Sequence, residues 1–213
     1  MAQRTIHYLL GEELIALGVR DAARFRVGNL LPDAIEDLAF RNLTHYQEET
    51  TIGGALRRFS DFERFRREFA PLVETDGLYL GYYMHLVEDV CYRIFWNRVR
   101  FAPRDMTRAN VAVLHNDYHL LNRYIVRRYG IRDELVMPGD FAREAVNRIY
   151  PFLLREFLDE MRGDFTEDPR GTTHYLTEAL LEEFLAEARE TCREALRRIL
   201  AGEKPLDPRE LSW

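Results

Sequence analysis

One pair of residues in this sequence has the spacing of metal ligands. His85 and Asp89 lie within LGYYMHLVEDVCYRIF, residues 80–95. Four residues apart on a helix, they share one face about one turn apart and can reach a common ion. The same face is apolar, so an ionised aspartate there needs a cation or a hydrogen-bond donor. A histidine hydrogen-bonded to a carboxylate in a helical core satisfies the pattern as well.

Three other segments offer nitrogen or carboxylate ligands. His7 begins an apolar helix, Asp33 follows a Gly-x-x-x-Pro break, and His45 lies in a polar loop. A metal site in the core of a helical bundle takes its ligands from several elements in this way. Each of these residues could equally be a surface or hydrogen-bonded residue.

The stretch HNDYHLLNRYI adds His115, Asp117 and His119. The two histidines are four apart and share a face, whereas Asp117 points elsewhere. Either the histidine pair or Asp117 can therefore face one ion. A polar helix start with cap-like residues is an equal alternative.

A late pair, His174 and Glu178, also has ligand spacing. Thr177 between them is typical of a helix N-cap, which would place His174 before the helix and break the shared face. We therefore interpret this pair as structural.

Helices must position these residues, because most of the chain has apolar residues at helical spacing. Few stretches alternate between apolar and polar residues with period two. The region around Pro32 is expected to be a loop or a broken helix, and residues 42–56 look irregular. We expect an all-α, single-domain multi-helix bundle of six to eight helices over residues 1–213. Helices are predicted from about Thr5 to Gly18, over 61–69, 78–96 and 108–129, through 140–158 with a kink at Pro151, and over 177–200.

The composition narrows the class of protein. With 213 residues, 31% charged and 46% hydrophobic, the chain is globular and suits one domain. A net charge of -6 argues against stable nucleic-acid binding. The sequence has two cysteines, Cys91 and Cys192, which argues against a disulfide scaffold and fits a reducing compartment. The apolar N-terminal stretch is too short for a secretion signal or membrane span, so we expect a cytoplasmic protein without a transmembrane segment.

Four motifs in order resemble the zinc-dependent phospholipase C family. H-Y-L-L-G, G-N-L-L-P-D, T-H-Y and G-Y-Y-M-H-L-V-E-D follow one another within residues 5–130. The family shares an all-α fold with fungal single-strand nucleases, and this chain is similar to its intracellular bacterial branch. The resemblance implies a metal-binding domain of the phospholipase C / single-strand nuclease type.

The resemblance also implies a ligand set. Asp89 would bridge from a first zinc ion to a second one, which His7 would also hold. In the family this second ion has a further ligand at the N-terminus, and Met1-Ala2-Gln3 lacks that ligand. The residues expected to hold the first zinc ion are Asp33, His45, His85 and Asp89.

The family has further histidines after H-x-x-x-D, and for these the sequence offers only His174 with Glu178 as a late candidate. Arg93 occupies the first such region, and Asp117 is the preferred replacement ligand, with His119 and then His115 as further candidates. We therefore expect one or two zinc ions, with manganese or iron as possible substitutes.

Such a cluster would hydrolyse phosphoesters with metal-activated water. Asp33 would be a ligand and the proton acceptor for that water, and Arg93 or Arg123 could neutralise phosphate charge, although exposed salt bridges explain these arginines equally well. The expected substrate is a small-molecule or lipid phosphoester. The alternative is a non-catalytic metal-binding or ligand-binding helical protein on the same scaffold.

Overall fold

The structure is a computed structural model that describes residues 3–103 and 105–213. Within these ranges the chain is largely helical, with a single two-stranded sheet. The helices are α1 (Arg4–Ile15), α2 (Ala22–Gly28), α3 (Arg41–Thr44), α4 (Phe62–Glu68), α5 (Leu72–Thr75), α6 (Gly77–Val99), α7 (Arg108–Tyr129), α8 (Leu154–Thr166) and α9 (Glu178–Leu200). The strands are β1 (Gln47–Ile52) and β2 (Ala55–Ser60), and short 3-10 turns cover Leu31–Asp33, Leu38–Phe40, Phe141–Arg143 and Ala145–Arg148.

Helix α6 forms the centre of the core. It is buried without interruption from Gly77 to Val90, because its sequence there is apolar on most faces. Its first half contributes Leu78 and Tyr82 to one hydrophobic cluster, and its second half contributes Tyr92 and Phe95 to another. Helices α1, α2, α4, α5 and α9 pack against it. Among the described residues, no helix is both long and apolar enough to cross a membrane.

Helices α2 and α6 approach each other at backbone distance. A Cβ atom on Gly28 would lie 1.9 Å from the Leu78 carbonyl oxygen, and one on Gly81 would lie 2.2 Å from the Phe25 carbonyl oxygen. Only glycine allows two backbones to come so close. The contact brings Asn29, at the C-terminal end of α2, alongside the middle of α6.

Several predicted helix boundaries are confirmed. Helix α7 covers the predicted residues and ends at Gly130, whose φ of 65° suits glycine. Thr177 caps α9 by accepting a hydrogen bond from the Leu180 N–H. The first helix ends at Ile15, three residues before the predicted Gly18.

The prediction that residues 42–56 are irregular was wrong for most of that segment. Residues 47–60 form an antiparallel hairpin in which Gln47 pairs with Ser60. Gly53 and Gly54 both have positive φ, which fits the tight turns preferred in hairpins. Most strand residues are half-buried or exposed, so the hairpin leaves little of the apolar alternation that would reveal it.

The predicted helix over 140–158 was also wrong as far as residue 153. Two 3-10 turns precede Ile149, and α8 begins only at Leu154. Proline disfavours helical backbone in the residue before it, here Tyr150, and has no N–H to donate. Pro151 therefore separates elements instead of kinking one helix.

Candidate metal centre

Three histidines from separate elements meet in the interior. His7 lies on α1, His45 directly follows α3, and His85 lies in the middle of α6. None is more than 1% exposed. The Nε2 atoms of His45 and His85 are 3.2 Å apart, and the rings of His7 and His85 stack with centroids 3.9 Å apart. The fold thus concentrates imidazole nitrogens at one buried point.

Two aspartates join the histidines. Asp33 Oδ1 lies 3.3 Å from His45 Nε2. Asp89 faces two histidines at once, with Oδ1 3.5 Å from His7 Nε2 and Oδ2 3.6 Å from His45 Nε2. The structure therefore brings together five residues predicted as ligands. They form two overlapping groups, His7 with His85 and Asp89, and Asp33 with His45 and His85, each with its ligand atoms within 4.8 Å of one another.

The backbone fixes two of the imidazoles. His85 Nδ1 is 2.8 Å from the Asn29 carbonyl oxygen, and His45 Nδ1 is 3.0 Å from the Arg41 carbonyl oxygen. A carbonyl only accepts, so each Nδ1 carries the proton, and a neutral ring then presents a lone pair on Nε2. Two such lone pairs facing each other at 3.2 Å repel unless a cation lies between them.

A buried carboxylate fixes the third imidazole. His7 Nδ1 lies 2.6 Å from Glu88 Oε2, and Asn29 Nδ2 donates to Glu88 Oε1 at 3.0 Å. Both His7 and Glu88 are fully buried. Carboxylate–histidine pairs of this kind orient ligands around metal ions. Asn29 thus holds His85 through its carbonyl and Glu88 through its side chain.

The distances between ligand atoms fit a metal ion. Zinc binds histidine nitrogen and carboxylate oxygen at about 2.0 to 2.2 Å, which places neighbouring ligands of a tetrahedral ion roughly 3.3 to 3.6 Å apart. The separations that join Asp33 and Asp89 to His45 and His7 lie in this interval. His7 Nε2 is also a buried nitrogen without a well-formed hydrogen bond within the described chain.

The buried carboxylates of the cluster stabilise a positive charge beside them. Burial lowers the pKa of His7, but Asp89 and Glu88 outweigh burial and raise this pKa to about 10. Burial and the charge of His7 lower the pKa of His85 to about 3. Burial also raises the pKa of Asp89, yet His7 and the other histidines bring it well below its usual value. The carboxylates thus keep His7 protonated. A bound metal ion would supply the positive charge in place of that proton.

A cavity of about 830 Å³ reaches one edge of the cluster. Asp33 lines it, with 15% of its side chain exposed against 5% for Asp89. Asp33 is therefore the member of the cluster most open to a ligand. The other charged or aromatic residues of the lining are Arg4, Arg41, Arg93, Trp96, His115, Tyr118, His119, Phe157, Glu160 and Asp164.

Asp117, the preferred replacement ligand, belongs to neither ligand group. It is fully buried, and its carboxylate accepts backbone N–H bonds from His174, Tyr175 and Leu176 at 2.6 to 3.0 Å. Both oxygens are used in this way. The residue thus holds the segment before α9 against α7.

His119 and His115 are likewise not brought into the cluster. His119 is about half exposed and lies 3.4 Å from Glu167 Oε2, and both histidines line the cavity. Of the two predicted phosphate-binding arginines, Arg93 lines the cavity, whereas Arg123 lies outside it and pairs with Asp168 at 2.5 Å. The predicted N-terminal position, Met1 and Ala2, lies outside the described residues.

Three residues around the ligands were missed from the sequence. Glu88 could have been found from the sequence, because a second acid beside Asp89 in an apolar helix also needs a partner. Asn29 and Arg41 act on the histidines through backbone carbonyls, which residue type does not reveal.

No family model matches this chain, and no curated protein or solved structure gives a match. The fold and the site define a class: a largely helical protein with a buried histidine–aspartate cluster that could hold metal.

Proposed function

We propose that this protein is a zinc-dependent phosphoesterase with a fold of the phospholipase C / single-strand nuclease type. The main support is one observation. Three imidazoles with fixed ring orientations and two carboxylates converge where a ligand cavity begins. Manganese or iron would also suit these ligands.

The residues that would hold the first ion are Asp33, His45, His85 and Asp89. The Nε2 atom of His85 can bind one ion only, so a second ion would rest on His7 and the other oxygen of Asp89. Such ions supply Lewis acidity and lower the pKa of water towards neutrality.

The chain's own residues would orient the reactants. Asp33 lies at the cavity boundary, and Arg41 donates to its Oδ1 at 3.2 Å. Burial raises the pKa of Asp33, but His45, His85 and Arg41 outweigh burial and keep the carboxylate ionised. Asp33 can thus accept a hydrogen bond from the attacking water and aim it at phosphorus.

A second candidate is a metal-binding protein without turnover. The position of Asp117 favours it. The oxygens of Asp117 accept backbone N–H bonds, so this predicted replacement ligand for a further ion does not reach the cluster. Both candidates share the metal site and differ in catalysis.

The test combines metal analysis with a substrate panel. Protein purified without a histidine tag is analysed for bound metal, then assayed with p-nitrophenyl phosphate, bis-p-nitrophenyl phosphate and a phospholipid in the presence of zinc or manganese. Asp33→Asn should reduce turnover about 100-fold or more, while Glu36→Gln, an exposed neighbour, should not.

Metal retained without turnover on any substrate would favour the non-catalytic candidate. Full zinc binding and full activity in both His85→Ala and Asp89→Ala would refute the site itself.

A further inference from the structure

Arg93 is a cavity-lining cation without an ion-pair partner among the described residues. It follows Asp89 by four residues on α6, so both side chains project from one face of the helix. Its side chain lines the cavity, and its Nε atom is buried without a hydrogen bond. No ion pair involves Arg93 within residues 3–103 and 105–213. A partly buried guanidinium in this state is costly unless an anion joins it.

Arg41 is a second guanidinium in the same lining. One of its terminal nitrogens donates to Asp33, but its Nε atom is also buried without a partner. Both arginines act on Tyr118: burial raises the pKa of its phenol, and the charges of Arg93 and Arg41 oppose that rise. Both guanidinium groups line the same cavity.

The other arginine in the described part of the lining is neutralised. Arg4 Nε lies 2.5 Å from Asp164 Oδ2, and its Nη1 atom lies 3.5 Å from Glu160 Oε2. Among the described residues of the lining, Arg93 is thus the guanidinium without an ion pair, and Arg41, paired with Asp33 at 3.2 Å, keeps an unpartnered Nε atom.

We propose that Arg41 and Arg93 form a binding subsite for the phosphoryl group of a phosphomonoester. A phosphomonoester carries about 1.5 to 2 negative charges near neutral pH and three terminal oxygens. Two guanidinium groups with free N–H donors match that dianion. A phosphodiester offers one charge and two terminal oxygens, which leaves donors unused.

The rest of the lining indicates the other half of the ligand. Trp96, Met106, Leu114 and Phe157 provide apolar surface, and a cavity of about 830 Å³ accommodates a small organic molecule. The ligand class is therefore a phosphomonoester with an aromatic or apolar substituent. Binding at this subsite does not require metal or catalysis, so it can fail or succeed independently of the proposed hydrolysis.

The test measures phenyl phosphate binding to the full chain after metal removal with EDTA, by isothermal titration calorimetry. Arg93→Gln and Arg41→Gln should each weaken binding about 10-fold or more, as expected for the loss of charge-assisted hydrogen bonds. Arg123→Gln, outside the cavity and paired with Asp168, should leave it unchanged. Methyl phenyl phosphate, the matched diester, should bind about 10-fold more weakly than phenyl phosphate to the unsubstituted chain.

Thermal unfolding of each variant separates lost binding from lost folding. Arg93→Lys keeps the charge but not the planar fork, so it should fold and bind several-fold more weakly than arginine. Equal binding by Arg93→Gln and the unsubstituted chain, equal binding of the two esters, or no binding of phenyl phosphate would each overturn the proposal.

Discussion

Gly81→Ala tests whether the close contact between α2 and α6 positions the cluster. Helix propensity alone predicts stabilisation, because alanine is favoured over glycine in a helix interior by about 1 kcal/mol. Packing predicts the opposite. The added Cβ would lie 2.2 Å from the Phe25 carbonyl oxygen and 2.7 Å from the Asn29 nitrogen. Both obstacles are backbone atoms, so no side chain can rotate away.

The size of the effect follows from the required movement. An ordinary contact begins near 3.4 Å, so the helices must separate by about 1.2 Å, the difference between 3.4 and 2.2 Å. Overpacking of this kind costs about 1 to 3 kcal/mol or more. For a chain of this length, each kcal/mol lowers the Tm by about 2 to 4 °C. We therefore expect the Tm to fall by roughly 2 to 12 °C.

The same movement should weaken metal binding. Asn29 would shift away from α6, and its 2.8 Å hydrogen bond to His85 Nδ1 would lengthen beyond a normal value. Loss of such an orienting contact costs about 10-fold or more in metal affinity. Circular dichroism melting and zinc titration measure the two effects. Gly139→Ala is the matched control, because a Cβ there meets no atom within 4 Å. A Gly81→Ala protein as stable as the unsubstituted chain would refute the reasoning.

Four further substitutions separate the roles of individual residues. His85 belongs to both ligand groups, so His85→Ala should abolish zinc binding. His7→Ala leaves one group intact, so this variant should retain part of the zinc binding. Mass spectrometry measures the zinc content per chain of both variants. Glu88→Gln should lower zinc affinity about 10-fold in a competition titration, because the neutral amide orients His7 less strongly; unchanged affinity would remove Glu88 from the site. Asp117→Asn should cost about 2 kcal/mol, seen as a lower urea midpoint, through lost acceptance of backbone N–H bonds. Its zinc affinity should not change, and a loss there would restore Asp117 as a ligand.

The sequence predicted the helices and the five converging residues for different reasons. Apolar periodicity located α6 and α7, because their burial repeats at each helical turn. The exposed hairpin left no such pattern. His85 and Asp89 were found from spacing on one helix, but their approach to His7 depends on tertiary packing.

Asp117 shows why the remaining assignments failed. A buried carboxylate satisfied by metal and one satisfied by backbone N–H groups have the same residue type, and only the positions of Tyr175 and Leu176 distinguish them. The backbone carbonyl of Asn29 is invisible to sequence patterns for a similar reason, because every residue has one.

Asn29 has a consequence for dynamics. One residue restrains His85 through its carbonyl and His7 through Glu88, and it lies directly after α2. Ion occupancy and the local opening of this short helix are then thermodynamically linked, because opening releases both restraints at once. Hydrogen–deuterium exchange at the amides of α2 would slow upon zinc addition. This helix would then report on ion occupancy although the Asn29 carbonyl that follows it contacts His85 at Nδ1 and not at the Nε2 atom that would bind metal.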